Sequence, residues 1–186
     1  RYMQRVLRRL NHTNEDGVVA MKGQVACEIT SADALVTTEL VFDGLFKELS
    51  LEMCVAVVAA LTERVGTAGK DPKDIKMSEE CKDAYERVRV AAQSVGKQMS
   101  ECKVLDTSVN DFINSFRPEM MELCREWAKG TKFETCMKVA PRGMYEGSVV
   151  RSIRRINEVL WQLKGAMAII GDTGLRDKFE ECQNLV

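Results

Sequence analysis

Arg151, Arg155, Glu158 and Gln162 recur at steps of three and four along the chain, so a helix would align them in one row. Arg154 adds a third guanidinium beside that row. Guanidinium groups offer forked N–H donors that match phosphate oxygens, and a carboxylate among them can orient an arginine or accept from a base edge. The chemistry this row supports is the grip of a polyanion, with no bond made or broken.

The same segment carries its own support. Val149, Ile153, Ile156, Leu160, Leu163, Met167 and Ile170 share the three-and-four spacing and define an apolar face. At about 100° per residue the polar row lies roughly 130–150° from that face. The spacing predicts one long helix at about 148–170, introduced by Tyr145-Glu146-Gly147-Ser148 and closed by Gly171. Arg151 then falls in the first turn, where the helix dipole disfavours a cation by roughly 0.3–1 kcal/mol, and a bound phosphate reverses that sign. The residues alone leave a bland reading open: a solvated face on which Arg155 and Glu158 form an i,i+3 pair worth about 0.2–0.5 kcal/mol.

The rest of the chain reads as a scaffold for this helix. Helical spacing over long runs poor in proline and glycine predicts an all-α fold, a bundle of about eight helices with a small extended element near the N-terminus, at Val18 to Met21. Ser31 is placed to cap a helix to about Phe42, and Ser50 one from Leu51 to about Val65, apolar nearly all round and therefore central. Ser78 opens a long helix to about Cys102, Pro118 suits a first helical position, and Thr131 is placed to cap a short helix to about Ala140.

Composition narrows the functions. The net charge of -1 excludes a generic polyanion binder, so any such site is local: Arg1, Arg5, Arg8 and Arg9 form one basic cluster and Arg142, Arg151, Arg154 and Arg155 another. The 7 cysteines are odd in number and lack a C-x-x-C pair, which reads as reduced, buried thiols of an intracellular protein. His12 is the only histidine, so neither a zinc site nor a nucleophile–histidine pair is supported, and Asn11-His12-Thr13 matches a glycosylation sequon by chance. Gly66 to Asp71 has glycines three apart and an aspartate where a phosphate loop carries Ser or Thr, so it reads as a surface loop. No run of 18 apolar residues could span a membrane. The helix Lys132 to Ala140 with the arginine helix could form a helix-turn-helix, and Trp127 and Trp161 read as core anchors, with Trp161 also placed to stack on a base.

Six segments stand in order: MKGQVACEI (Met21–Ile29), TELVFDG (Thr38–Gly44), SFRPEMM (Ser115–Met121), EWAKGTKF (Glu126–Phe133), YEGSVVRSIRRINE (Tyr145–Glu158) and IGDTGLRDKFEE (Ile170–Glu181). Together they resemble the DSHCT domain, the C-terminal helical bundle of superkiller-type DExH-box RNA helicases that serve the RNA exosome, over nearly the whole chain. SADAL (Ser31–Leu35) and FDGLFKELS (Phe42–Ser50) look closer to the nuclear, polyadenylation-complex branch than to the cytoplasmic superkiller branch. Gln24 stands where that family usually has arginine, Asn157 where glutamate is common, and LTERVG (Leu61–Gly66) departs from its aromatic-rich ending, which leaves Glu63 and Arg64 outside the contact set.

The resemblance implies a longer parent protein that hydrolyses ATP, with Mg, in two RecA-like domains, unwinds RNA 3′ to 5′ and feeds it to the exosome; the alternatives are a helical protein-interaction module with no nucleic-acid role and a helix-turn-helix that binds duplex DNA. This chain holds no nucleotide-binding motif and is no enzyme by itself. The long helix resembles the family's "ratchet", which lies against single-stranded RNA, with Arg155 and Glu158 at matching positions and Arg151 one turn earlier. Arg154 and Gln162 complete the expected RNA-binding set. The expected division is 1–30, the end of a winged-helix-like segment entering the bundle, and 31–186, the bundle itself. Expected partners are single-stranded RNA, the RecA-like domains, the exosome and its adaptor proteins, with no membrane; the expected location is nuclear, or cytoplasmic for the superkiller branch.

Overall fold

The computed structural model describes residues 1–62, 75–141 and 143–186. The expected loop Gly66 to Asp71, together with Glu63, Arg64 and Arg142, lies outside the described residues. Among these, the chain forms α1 (Tyr2–Arg9), α2 (Met21–Glu28), α3 (Ala34–Phe42), α4 (Leu45–Glu48), α5 (Leu51–Thr62), α6 (Glu79–Glu101), α7 (Val109–Asn114), α8 (Met121–Ala128), α9 (Phe133–Met137), α10 (Glu146–Ile170) and α11 (Thr173–Asn184). The fold is all-α. Three of the helices, α4, α7 and α9, have only 4, 6 and 5 residues, and they carry the number past the eight expected. The extended element is a single antiparallel bridge between Thr13 and Val19, and the chain is already helical at Met21. No described helix is long and apolar enough to cross a membrane.

α5 is the centre of the bundle. Every residue from Met53 to Thr62 is buried, as its all-round apolar sequence requires, and α6, α8, α10 and α11 surround it. α10 buries Val149, Ile153, Ile156, Leu160, Leu163 and Met167 against α2, α5 and α11. Burying one such side chain stabilises by about 1.5–3 kcal/mol, several times the worth of a surface ion pair. α10 is therefore held by its inner face, and its outer face is free to carry residues chosen for another purpose. Gly171 ends the helix at φ +76°, a left-handed conformation that glycine adopts without a Cβ penalty. Phe46 meets Phe179 edge-on at 5.3 Å and locks α4 to α11.

Several caps differ from those the sequence suggests. Asp33, not Ser31, caps α3, its carboxylate accepting from the Val36 N–H, which shortens that helix at its start. Pro118 lies before α8 rather than in its first turn, and its carbonyl accepts from the Met121 N–H. Thr131 does not cap α9; its hydroxyl turns to the Glu126 carboxylate at 3.3 Å, and Lys132 takes the cap position. Ser50 and Ser78 cap α5 and α6 as expected, accepting from the N–H groups of Met53 and Cys81.

Where α2 meets α3, Lys22 donates to both Glu39 oxygens at 2.7 and 2.8 Å. His12 is only 1% exposed, and its Nε2 lies 3.8 Å from Glu39, so this histidine belongs to the interior and faces no substrate. Burial raises the Glu39 pKa, but its contacts with His12 and Lys22 outweigh that and hold the carboxyl below its ordinary 4.5. A carboxyl whose folded pKa is depressed contributes stability above its unfolded pKa and loses it as pH falls through the folded value. The melting temperature is therefore expected to drop as pH is lowered from about 5 to about 3, and to drop less in Glu39→Gln, where that linkage is gone. Parallel pH–melting curves for the two proteins would contradict this assignment. The 7 cysteines are all free thiols, six of them buried and Cys27 exposed.

Candidate nucleic-acid interface

The outer face of α10 carries Arg151, Arg154, Arg155 and Glu158, all exposed. The helix opens at Glu146, about half a turn earlier than its spacing suggests, so Arg151 lies in the second turn. There the dipole penalty expected for a first-turn cation has largely fallen away. Arg151 donates from Nη2 to the Ser148 hydroxyl at 3.0 Å, and Arg155 donates from Nε to the Ser31 carbonyl at 3.2 Å. No contact within hydrogen-bond or ion-pair distance engages Arg154 among the described residues. None of the three has a carboxylate partner among those residues, and the Arg155–Glu158 pair of the bland reading does not form.

Six of the nine described arginines outside α10 pair with an acid. Arg9 pairs with Glu101, Arg87 with Asp43 and Glu48, Arg125 with Glu80 and Glu122, and Arg176 with Asp177. The other described arginines without a carboxylate partner among those residues are Arg1, just before α1, and Arg5 and Arg8 on it, where Arg5 lies over the Tyr2 ring at 5.8 Å. The three on α10 stand on a helix fixed from beneath, and two are aimed by a hydrogen bond. Unpaired guanidiniums held in this way present donors to an incoming anion with little ordering cost.

Gln162 does not share the exposure of the row. It is 6% exposed, and its amide is spent on the α2–α3 connection: Oε1 accepts from the Thr30 and Ser31 N–H groups at 2.9 and 3.1 Å, and Nε2 donates to their hydroxyls at 3.0 Å each. A weaker bond at 3.4 Å runs from Nε2 to Glu158. The wheel places Gln162 correctly in angle, but the connection at 30–31 covers that edge of the helix. Gln162 is thus a brace that ties the connection at 30–31 to α10 and holds the Ser31 carbonyl where Arg155 meets it.

The two tryptophans part company. Trp127 meets Phe133 edge-on at 6.0 Å and donates its indole N–H to the Val186 carbonyl at 3.3 Å, as a core anchor should. Trp161 is 61% exposed and is no core anchor. It stands seven residues beyond Arg154, so the two share a line along the helix. Gly165 follows one turn later, and a Cβ placed there would meet nothing within 4 Å. A glycine inside a helix costs roughly 0.5–1 kcal/mol relative to alanine, and no neighbour accounts for this one.

The helix-turn-helix reading fails on geometry. α9 has 5 residues, and residues 138–145 separate it from α10, too short a helix and too long a connection for that motif. Among the described residues no group of three or more His, Cys, Asp or Glu side chains is placed to hold a metal.

Among the described residues the chain is a bundle built around a central apolar helix, with three arginines that lack carboxylate partners on the outer face of α10. Comparison with known proteins gives its family. The profile of the DSHCT (NUC185) domain matches residues 16–186, and the chain belongs to that family. Over 179 residues it is 42% identical to the DExH-box ATP-dependent RNA helicase DExH9 of Arabidopsis thaliana, covering 95% of this chain and 17% of that protein. It is 35% identical to the exosome RNA helicase MTR4 of Homo sapiens, over 95% of this chain and 16% of that protein. It is 33% identical to superkiller complex protein 2 of Mus musculus, over 100% of this chain and 14% of that protein. The chain therefore spans only 14–17% of the length of these relatives.

Proposed function

We propose that this chain is the RNA-guiding domain of an ATP-dependent RNA helicase that acts with the exosome, and that α10 lies along single-stranded RNA. The observation that carries this reading is the face of Arg151, Arg154 and Arg155 on α10, exposed and without carboxylate partners among the described residues. Arginines at this spacing meet successive backbone groups of a strand, and Glu158, between Arg154 and Trp161, orients a guanidinium or accepts from a base edge. Residues 31–186 form the guiding bundle, and residues 1–30 are the end of a winged-helix-like segment that leads into it. ATP and Mg belong to RecA-like domains of the complete helicase. The domain's contribution is to hold the strand's path while the motor pulls.

The partners that follow are single-stranded RNA, the RecA-like domains, and the exosome with its adaptor proteins. The proposed site of action is the nucleus, or the cytoplasm for the superkiller branch; relatives of both kinds are similar to this chain, at 42%, 35% and 33% identity.

In the complete helicase, Arg155→Ala is expected to slow unwinding about tenfold, a loss of about 1.4 kcal/mol, with ATP binding unchanged. Because Arg155 also holds the Ser31 carbonyl, Arg154→Ala serves as the companion variant: it removes a charge and no internal contact. Equal loss of ATP binding and unwinding in folded protein would contradict the guiding role.

A further inference from the structure

The interface contains one large side chain that the grip on phosphate does not use. Trp161 is 61% exposed on the same line of α10 as Arg154. Beside it lies a recess of about 410 Å³, lined by Trp161, Gly165 and Ala168 together with the charged Glu28, Lys164, Arg176 and Glu180. That volume is in the range of sites that hold small planar ligands. The cations around the recess are already spoken for: Lys164 reaches Glu180 at 3.4 Å, and Arg176 contacts Asp177 at 2.7 Å. The recess therefore has little to offer a phosphate, and its distinctive feature is an aromatic plane.

We propose that Trp161 is a base-stacking platform, and that Gly165 leaves the floor beside it bare so that the planar ring of a nucleobase can lie against the helix. The proposal rests on the RNA-guiding reading and adds a division of labour to it. The unpaired arginines hold the sugar-phosphate backbone, and two turns beyond Arg154 the indole takes a base. Stacking on an aromatic face tolerates any base, which suits a helicase that must pass any sequence. Gly165 has no other evident duty, since a Cβ would collide with nothing in the protein and only a ligand would feel it.

The test compares two probes on the same chain: single-stranded oligouridylate, and an abasic ribose-phosphate strand of equal length. Trp161→Leu keeps an apolar side chain and removes the π-face. It is expected to weaken oligouridylate binding about five- to hundredfold and to leave the abasic strand unaffected. Trp161→Phe restores most of the loss. If Trp161→Leu weakens neither probe, or both equally, the platform is overturned. In that case loss of both probes in Arg151→Ala/Arg155→Ala would still uphold the arginine grip. If wild type binds neither strand, the platform and the RNA reading fall together.

Discussion

Gly23→Ala is expected to destabilise the domain by about 3 kcal/mol, lowering its melting temperature by about 6–12 °C. Gly23 lies within α2, where alanine would ordinarily gain roughly 1 kcal/mol over glycine. Its Cβ, however, would fall 2.2 Å from the His12 carbonyl oxygen and 2.7 Å from the Val19 side chain. The side chain of Val19 can turn away, but the carbonyl is backbone. It accepts from the Ala20 N–H at 2.9 Å, just outside the turn closed by the Thr13–Val19 bridge. Relieving the clash means prising that turn off α2, and with it the buried His12 beside Glu39. The clash outweighs the propensity gain. Gly165→Ala is the matched control, since a Cβ there meets nothing and the usual gain should appear. Thermal melts of the two variants with opposite signs would bear this out; a neutral Gly23→Ala would show that the turn yields freely.

The second large effect is on binding. Arg151→Ala/Arg155→Ala removes two of the three uncompensated arginines of α10. For a single strand each phosphate contact contributes about 0.7 to the slope of log affinity against log salt, so the slope should shrink by about 1.4. If that electrostatic component vanishes near molar salt, the loss at about 0.1 M amounts to roughly 25-fold. Such weakening with an unaltered slope would point to disturbed folding rather than to lost phosphate contacts. Arg151→Ala removes only the bond to the Ser148 hydroxyl, whereas Arg155→Ala also releases the Ser31 carbonyl, so the melting temperature of the double variant belongs beside its affinity.

What could be read from sequence, and what could not, follows from the range of the forces involved. α10 was legible because its apolar face repeats at helical spacing for 22 residues, from Val149 to Ile170, and α5 because almost every residue in it is apolar. Caps were less so: Ser31 and Asp33 are both good N-cap residues two positions apart, and only the close approach of Ser31 to α10 reserves it for another task. The same contact explains the miss at Gln162. Helical spacing gives its angle, but the groups that bury it, Thr30 and Ser31, lie about 130 residues away in the chain, at separations of 132 and 131. Trp161 is the converse. Large aromatics usually go inward, but no element covers that edge of α10. A spacing of seven residues sets it on the same helical line as Arg154, a signal that is present in the sequence.

The most direct test of the central claim is fluorescence anisotropy with single-stranded RNA and duplex DNA across a salt series, comparing wild type with Arg151→Ala/Arg155→Ala. The account predicts salt-sensitive binding of the single strand by wild type, weak binding of the duplex, and a flatter salt slope with about 25-fold lower affinity at about 0.1 M salt in the double variant. Single-strand affinity and slope that are the same in both proteins would contradict it, and the arginine face of α10 would then be an ordinary solvated surface.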